Sequence, residues 1–560
     1  MKLVKGLPRP AKSGEPVAID LEMFKMQDGK LHRPIGQFAA MTVSFPPQET
    51  VYMVMDQPDV QRALDRLKDG QWIFHNSLFD LRHLRRFAKF GQRKVHDTMI
   101  CEQDLFGGYY DGFGLNDLTR RWLGLQMPKD VRAEFGGRES MTKDMEEYAA
   151  FDAYATGRVA LAQLEYAEGA GESLKWYWDI DEPAVWAFLD FPGVLIDVDG
   201  WIKNAEEMGR NAAKIQEELG FNPGSPVQAR DRINAMLPKS WKPLASTNAD
   251  KDLEPLLRRL RAYHSDKAAE MVQAVLDARS YKKMASSYGI KWIETNVEGD
   301  GRVYTSYWVT GAETGRTASS NPSLHNVPAR DFPIFRTFFL ASPGNDLLVS
   351  DVSQQEPRFL CYMSGDENML EIFRSGANLH EATAEQMKGF GADLDYRQAK
   401  DINLGTSYGL TAWGLSNRTG ISKDEAEDFI AAYFKLRPRV ASWIDRTRIA
   451  AQKFGVVRTA ADRPIHINLH KWQWSNNAIN GPIQGSAADQ LKMALGMVHR
   501  AGVIPTLQVH DEIVIEVPKK DKKTEKLIRE AWLDSAAELA PGVPFEVELA
   551  RGANWGCKEE

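Results

Sequence analysis

Asp20 and Glu22, two residues apart in PVAIDLEMF, are the first side chains in the sequence with evident chemistry. On an extended strand this spacing points both carboxylates to one face, where hard oxygen ligands can hold divalent cations. HNSLFD adds Asn76 and Asp80 after a second apolar run, and YAAFD adds Tyr148 and Asp152 one helical turn apart on one face. Far downstream, Asp351 ends the apolar run LLVS, while His510, Asp511 and Glu512 sit at the tip of a hairpin pattern, LQVHDEIVIEV. Carboxylates at strand ends suit the floor of a cleft. Between these groups a helical pattern places Arg397, Lys400, Leu404 and Tyr408 at i, i+3, i+7 and i+11, a stripe whose cations can neutralise phosphates. Asp97 in HDTM is read as a helix cap rather than a ligand.

Positioning these groups takes more than one core, because 560 residues exceed what one ordinary domain packs. Up to about residue 165, short β-rich runs (PVAIDLEMF, AAMTVSF, VYMVM, QWIFHN) alternate with helical patterns, which predicts an α/β domain on a mixed sheet. From about 175 helices dominate, in WIKNAEEMGRNAAKIQEEL and then DKAAEMVQAVLDARSYKKMASSYGIKWIETN, read as a projecting clamp. Strand patterns return with RVYTSYWVT and NDLLVSDVS, helices resume near 366, and a hairpin, a helix and the closing strand PFEVELA follow. No apolar run approaches the roughly 18 residues needed to span a bilayer. MKLVKGLPRP lacks the features of a secretory signal, and three widely spaced cysteines give neither a disulfide framework nor a zinc site, so a reducing cytoplasm is the expectation. The formal net charge of −7 does not decide the partner, since basic residues can line a groove while acidic ones gather in sites.

In order and spacing, Asp-x-Glu, Asn-x-x-x-Asp and Tyr-x-x-x-Asp resemble the proofreading 3′-to-5′ exonuclease family with four acidic ligands and a tyrosine. The resemblance implies an RNase H-like exonuclease domain over residues 1–170, with Asp20, Glu22, Asp80 and Asp152 as metal ligands and Tyr148 orienting the attacking water. Hydrolysing a phosphodiester in this way uses two divalent ions roughly 4 Å apart.

Four further ordered motifs are similar to family A DNA polymerases, of the bacterial DNA polymerase I type: TGRTASSNPSLHNVPAR, DVSQQEPR, RQAKDINLGTSYG and QVHDE. The resemblance implies an α+β right-hand polymerase domain over 171–560, with thumb about 195–300, palm about 301–365 and 455–560, and fingers about 366–454. It implies Asp351, Asp511 and the main-chain carbonyl of Val352 as ligands of a pair of Mg²⁺ ions, with Mn²⁺ a possible substitute. Lys400 is then the triphosphate group, with Glu356, His380, Arg397, Leu404 and Tyr408 around the nucleotide. Glu356 would exclude a ribose 2′ hydroxyl. Arg316, Arg330, Asn480, Gln484 and His510 would meet the primer-template.

The sequence departs from the family pattern at informative points. Val352, Gln355 and Pro357 replace the usual tyrosine, isoleucine and leucine after the first carboxylate; a proline in a first helical turn forfeits no intrahelical bond. Tyr396 stands where the usual arginine precedes the lysine by four, leaving Arg397 three before Lys400. Leu404 replaces an aromatic residue, which predicts altered nucleotide selectivity, and Asn476 replaces an arginine. Because the exonuclease pattern comes so early, no 5′ nuclease domain is expected. The two-domain plan resembles bacteriophage replicative polymerases, so the expected setting is phage DNA replication by a monomer in the host cytoplasm. Expected partners are primer-template DNA, deoxynucleotides and a replisome helicase, primase or single-strand-binding protein, with no membrane.

Overall fold

A computed structural model describes residues 1–24, 36–127, 131–136, 138–329, 331–391, 394–407, 409, 411–419 and 421–558. Arg330 and Tyr408, both expected at a site, lie outside these described residues.

The strand Pro16–Phe24 forms because its apolar residues alternate: Val17, Ile19 and Leu21 are buried on one side while Asp20 and Glu22 stay half-buried on the other. It lies inside a six-stranded mixed sheet whose order is Lys2–Lys5, Thr50–Val54, Gln37–Ser44, Pro16–Phe24, Gln71–Phe74 and Val95–Asp97. Its neighbours are antiparallel Gln37–Ser44 and parallel Gln71–Phe74, as the alternation of β-rich and helical runs predicts. The register slips between Glu22 and Met23, so the strand bends just past its acidic pair.

The long helix Lys143–Ala170 covers this acidic side. It comes close because small residues face the sheet: a Cβ on Gly157 would lie 3.1 Å from the Ala18 Cβ and 2.9 Å from Pro46. Thr142 caps its first turn, accepting from Met145 N at 3.3 Å. Cap and close approach together fix the height at which Asp152 meets the strand.

The second β platform is antiparallel throughout, in the order Leu507–Val509, Glu512–Pro518, Asn345–Val352 and Val547–Gly552. The hairpin and closing strand fall where the sequence pattern puts them. Behind them packs the helix Lys522–Leu539, and on that helix Trp474–Arg500, which is buried almost all round. One apolar cluster runs from Ile19 and Leu21 through Trp186 in helix Glu182–Asp190 to Leu491 and Ile513, so the two halves share a core. Trp186 is essentially buried, and truncating such a residue to alanine costs about 3–5 kcal/mol. Fully buried ion pairs, Lys492 with Asp181 and Arg463 with Asp489 at 3.0 Å, lie within the same interior.

Helices Val198–Leu219 and Asp266–Ser287 pack against each other. The second does not run on to Asn296: it ends at Ser287 with Tyr288 as its C-cap, and a separate helix, Ile290–Asn296, begins after Gly289. Gly289 is the N-cap of that new helix in extended backbone, and a Cβ there would lie 2.3 Å from the Ala285 carbonyl oxygen. The helical layer of residues 366–454 has a small core of its own around Met387, Ile402, Leu415 and Tyr433.

Candidate active sites

Asp20, Glu22 and Asp152 each offer a carboxylate oxygen within 4.8 Å of the others. Asp80, in the first turn of helix Ser77–Phe87, is buried beside them and accepts a hydrogen bond from Leu21 N at 3.0 Å. Burial pushes the Asp20 carboxyl up to about 7, and burial together with the Asp20 charge raises Asp80 well above its ordinary range. The Asp20 Oδ2 is buried with no hydrogen-bond partner among the described residues. Four crowded carboxylates with an orphaned oxygen fit a pair of divalent cations far better than they fit each other. Asp97 is elsewhere engaged: it caps helix Thr98–Phe106 through Met99 N and Ile100 N and also accepts from Ser77 N at 2.6 Å. It thereby ties down the turn before Asp80. Tyr148, one turn before Asp152, is buried in an apolar cluster with Phe24, Phe135 and Met145.

The second site is a cavity of about 520 Å³ between the β platform and the helical layer. Asp351, Val352, Glu356, His380, Lys400, Leu404, His510, Asp511 and Arg316 all line it, although they lie as much as 195 residues apart in sequence, the distance from Arg316 to Asp511. Asp351 is the last residue but one of its strand, and Asp511 stands in the hairpin turn. His510, in left-handed backbone at φ 55°, turns the chain there, with its carbonyl accepting from the Gln508 amide at 2.8 Å. Burial, and then the Asp511 charge, pushes the Asp351 carboxyl up to about 7. Two carboxylates in that relation fit divalent cations by the same reasoning as the first cluster.

His380 is buried, and burial, Lys400 and Arg437 hold its pKa down to about 4. Its Nδ1 accepts from the Asn403 amide at 3.1 Å, which leaves the proton of the neutral ring on Nε2. Glu356 is paired with Arg316. Glu512 faces inward: both of its oxygens accept from Arg336 Nη1 at 3.1 Å, and one also accepts from Trp555 Nε1 at 3.1 Å. That commitment makes it a structural anchor of the hairpin.

The helix Tyr396–Ser407 corrects one expectation. Tyr396, Lys400 and Leu404, spaced by four, line the cavity, whereas Arg397 is exposed and does not. A residue next along the helix points about 100° away, so the stripe that contains Lys400 and Leu404 passes through Tyr396 instead. Lys400 forms no ion pair among the described residues. Asn480 and Gln484 are half-buried on helix Trp474–Arg500 and do not line the cavity; Pro482 stands between them inside the helix.

A family match decides the class. The family described as DNA polymerase family A matches residues 200–557, well over half the chain, and the family described as 3′-5′ exonuclease matches residues 4–163. The chain belongs to DNA polymerase family A. Among relatives of this family A chain, DNA polymerase I of Caldicellulosiruptor bescii is 32% identical over 415 residues, covering 68% of this chain and 47% of the relative. DNA polymerase I of Pseudomonas aeruginosa is 31% identical over 500 residues, covering 82% and 53% respectively. The chain thus spans about half the length of the curated relatives it matches. A solved structure described as the POL domain of Pol1 from M. smegmatis in complex with DNA primer-template and dNTP superposes with a TM-score of 0.80 at 22% identity. It covers 98% of this chain and 100% of that one, a likeness of fold. The family A assignment agrees with the order of architectures seen here, an exonuclease-type α/β domain followed by a polymerase-type α+β domain.

Glu548 and Lys558, both outside the motifs, meet Asp351, and Gln354, inside DVSQQEPR, joins two layers of the site. Gln354 sits in left-handed backbone at φ 53° and accepts from Leu379 N at 3.0 Å, joining the platform to the helical layer. Glu548 stands directly opposite Asp351 across the closing strand pair. Lys558 contacts Asp351 from the short turn Trp555–Lys558. The register of PFEVELA against LLVSDVS could have found Glu548, but nothing in the sequence points to Lys558.

Proposed function

We propose that this family A chain extends a DNA primer on a template from deoxynucleoside triphosphates and removes mispaired 3′ ends by 3′-to-5′ hydrolysis, in phage DNA replication. The observation that carries the reading is the single cavity that gathers Asp351, Asp511, Glu356, His380, Lys400 and Leu404, with a separate carboxylate cluster on the other sheet. Its volume is within the range of small-molecule sites.

Asp351, Asp511 and the Val352 carbonyl would hold one pair of Mg²⁺ ions, and Asp20, Glu22, Asp80 and Asp152 the other. When bound, such ions lower the pKa of an attacking hydroxyl or water and offset charge on the leaving oxygen. The remaining work belongs to the side chains. Lys400 donates to the triphosphate, and the His380 Nε2–H donates beside it without adding charge. Glu356 fills the space a ribose 2′ hydroxyl would need. Leu404 gives the sugar and base an aliphatic wall, and Tyr408 joins it at the nucleotide. Arg316, Arg330, Asn480, Gln484 and His510 receive the primer-template, and Arg316 leaves Glu356 to do so. Tyr148 orients the hydrolytic water. On this reading the exonuclease domain ends near 170, helices Val198–Leu219 and Asp266–Ser287 form the thumb, the four-stranded platform the palm and the helical layer the fingers.

A mispaired end stacks poorly in the cavity, which slows extension and gives the strand time to unpair and reach the second cluster. The test is a labelled primer-template with Mg²⁺. The reading predicts lengthening with all four deoxynucleotides and shortening without them. Shortening in both reactions would overturn the polymerase assignment.

A further inference from the structure

The catalytic-type carboxylate Asp351 is bonded through Oδ2 to the ammonium of Lys558, which also lies 3.6 Å from Glu512 Oε1. This lysine is mounted on a rigid base. Trp555, three residues earlier, is fully buried, donates to Glu512, and packs under the Arg336 guanidinium at 4.3 Å and edge-on to Phe339 at 5.3 Å. Strand pairing of Leu347 with Gly552 holds the approach to the turn. The side chain itself is 24% exposed, so its flexible stem has solvent into which it can swing.

The other carboxylate cluster is built differently: neither Asp20 nor Asp80 forms an ion pair with a described residue. Asp351 thus has an internal cation on it where Asp20 and Asp80 have none among the described residues. The ammonium sits on Oδ2 while Oδ1 accepts from Val352 N at 2.6 Å, so both oxygens are engaged, and a divalent ion approaching the freer Oδ2 side would be repelled by a positive charge left in place. Lys558 and the ion compete for one oxygen.

We propose that Lys558 is a tethered counter-cation of Asp351, displaced when a divalent ion binds, so that the Trp555–Lys558 turn sets the ion concentration at which the polymerase site fills. It is a positioning residue: it acts through Asp351 and holds that carboxylate in place until the ion arrives. The inference rests on the polymerase reading of the cavity, since it assumes that Asp351 and Asp511 bind divalent ions.

The test is Mn²⁺ binding, followed by the loss of free-ion paramagnetic resonance signal, in the full chain carrying Asp20→Ala and Asp152→Ala to silence the other cluster. Lys558→Met added to this background is expected to tighten Mn²⁺ binding about tenfold or more, while Lys558→Arg, which keeps a cation on the turn, stays within about threefold of the parent. Near-ultraviolet circular dichroism checks that each variant is folded. Unchanged or weaker binding in folded Lys558→Met overturns the competition. Absence of any Mn²⁺ binding in the parent and both Lys558 variants contradicts instead the assignment of Asp351 and Asp511 as ion ligands, and the inference falls with it.

Discussion

Asp20, Glu22 and Asp152 face one another within 4.8 Å on one strand and one helix, whereas Asp351 meets Asp511 only through the folding of a hairpin tip onto a strand end and is already bonded to Lys558. Arg316 likewise stands on Glu356. The first cluster is preassembled by elements less than 135 residues apart and concentrates negative charge. The second is assembled from distant segments and balances its acids with its own cations. On the function proposed above, the contrast implies that hydrolysis would depend on supplying ions to a ready site, while synthesis would depend on exchanging internal contacts for those of nucleotide, ion and DNA.

The largest effect that would sharpen this contrast is Asp511→Ala, expected to lower the rate of primer extension at least about a thousandfold while shortening stays within twofold. Quench-flow rates on one labelled primer would show it, and parallel loss of both rates would break the separation. Lys400→Ala should lower kcat/KM for deoxynucleotides about 10- to 100-fold by removing a charged donor to the triphosphate, again sparing shortening. Leu404→Tyr restores an aromatic wall and should change nucleotide KM by about two- to tenfold, with discrimination against chain terminators moving as well. Steady-state incorporation of each nucleotide pair would measure it; identical constants would mean that Leu404 does not touch the nucleotide.

The smallest effect concerns stability. Asp20 titrates near 7 in the folded protein and near its ordinary, lower value when unfolded, so the folded state binds the extra proton between those values. The ion-free protein should therefore lose stability as pH rises from about 4 through 7, and Asp20→Asn should recover about 1–2 kcal/mol at pH 8 but nothing at pH 4. Thermal unfolding in chelator at both pH values checks the sign, and a gain larger at the acidic pH would contradict it.

The fold was legible where one period dominates. PVAIDLEMF alternates cleanly enough to fix the strand and the shared face of Asp20 and Glu22. TLQVHDEIVIEV likewise reveals the hairpin that carries Asp511. Helix faces were harder to read. Arg397 and Tyr396 are adjacent, and either is compatible with a stripe through Lys400; only packing against Leu379–Lys388 shows which one turns inward. The break at Gly289 was hidden inside a continuous helical pattern, because only the absence of a side chain lets that residue sit against the Ala285 carbonyl as the cap of the next helix. Lys558 was invisible for a different reason: its contact with Asp351 spans 207 residues and depends on where Trp555 is buried.

The most direct test of two separate sites is a divalent-ion titration of Asp351→Ala and Asp20→Ala side by side on one labelled primer-template, with and without deoxynucleotides. At every ion concentration Asp351→Ala should shorten the primer at the wild-type rate without extending it, and Asp20→Ala should extend it without shortening. Loss of both activities in either folded variant would contradict the account.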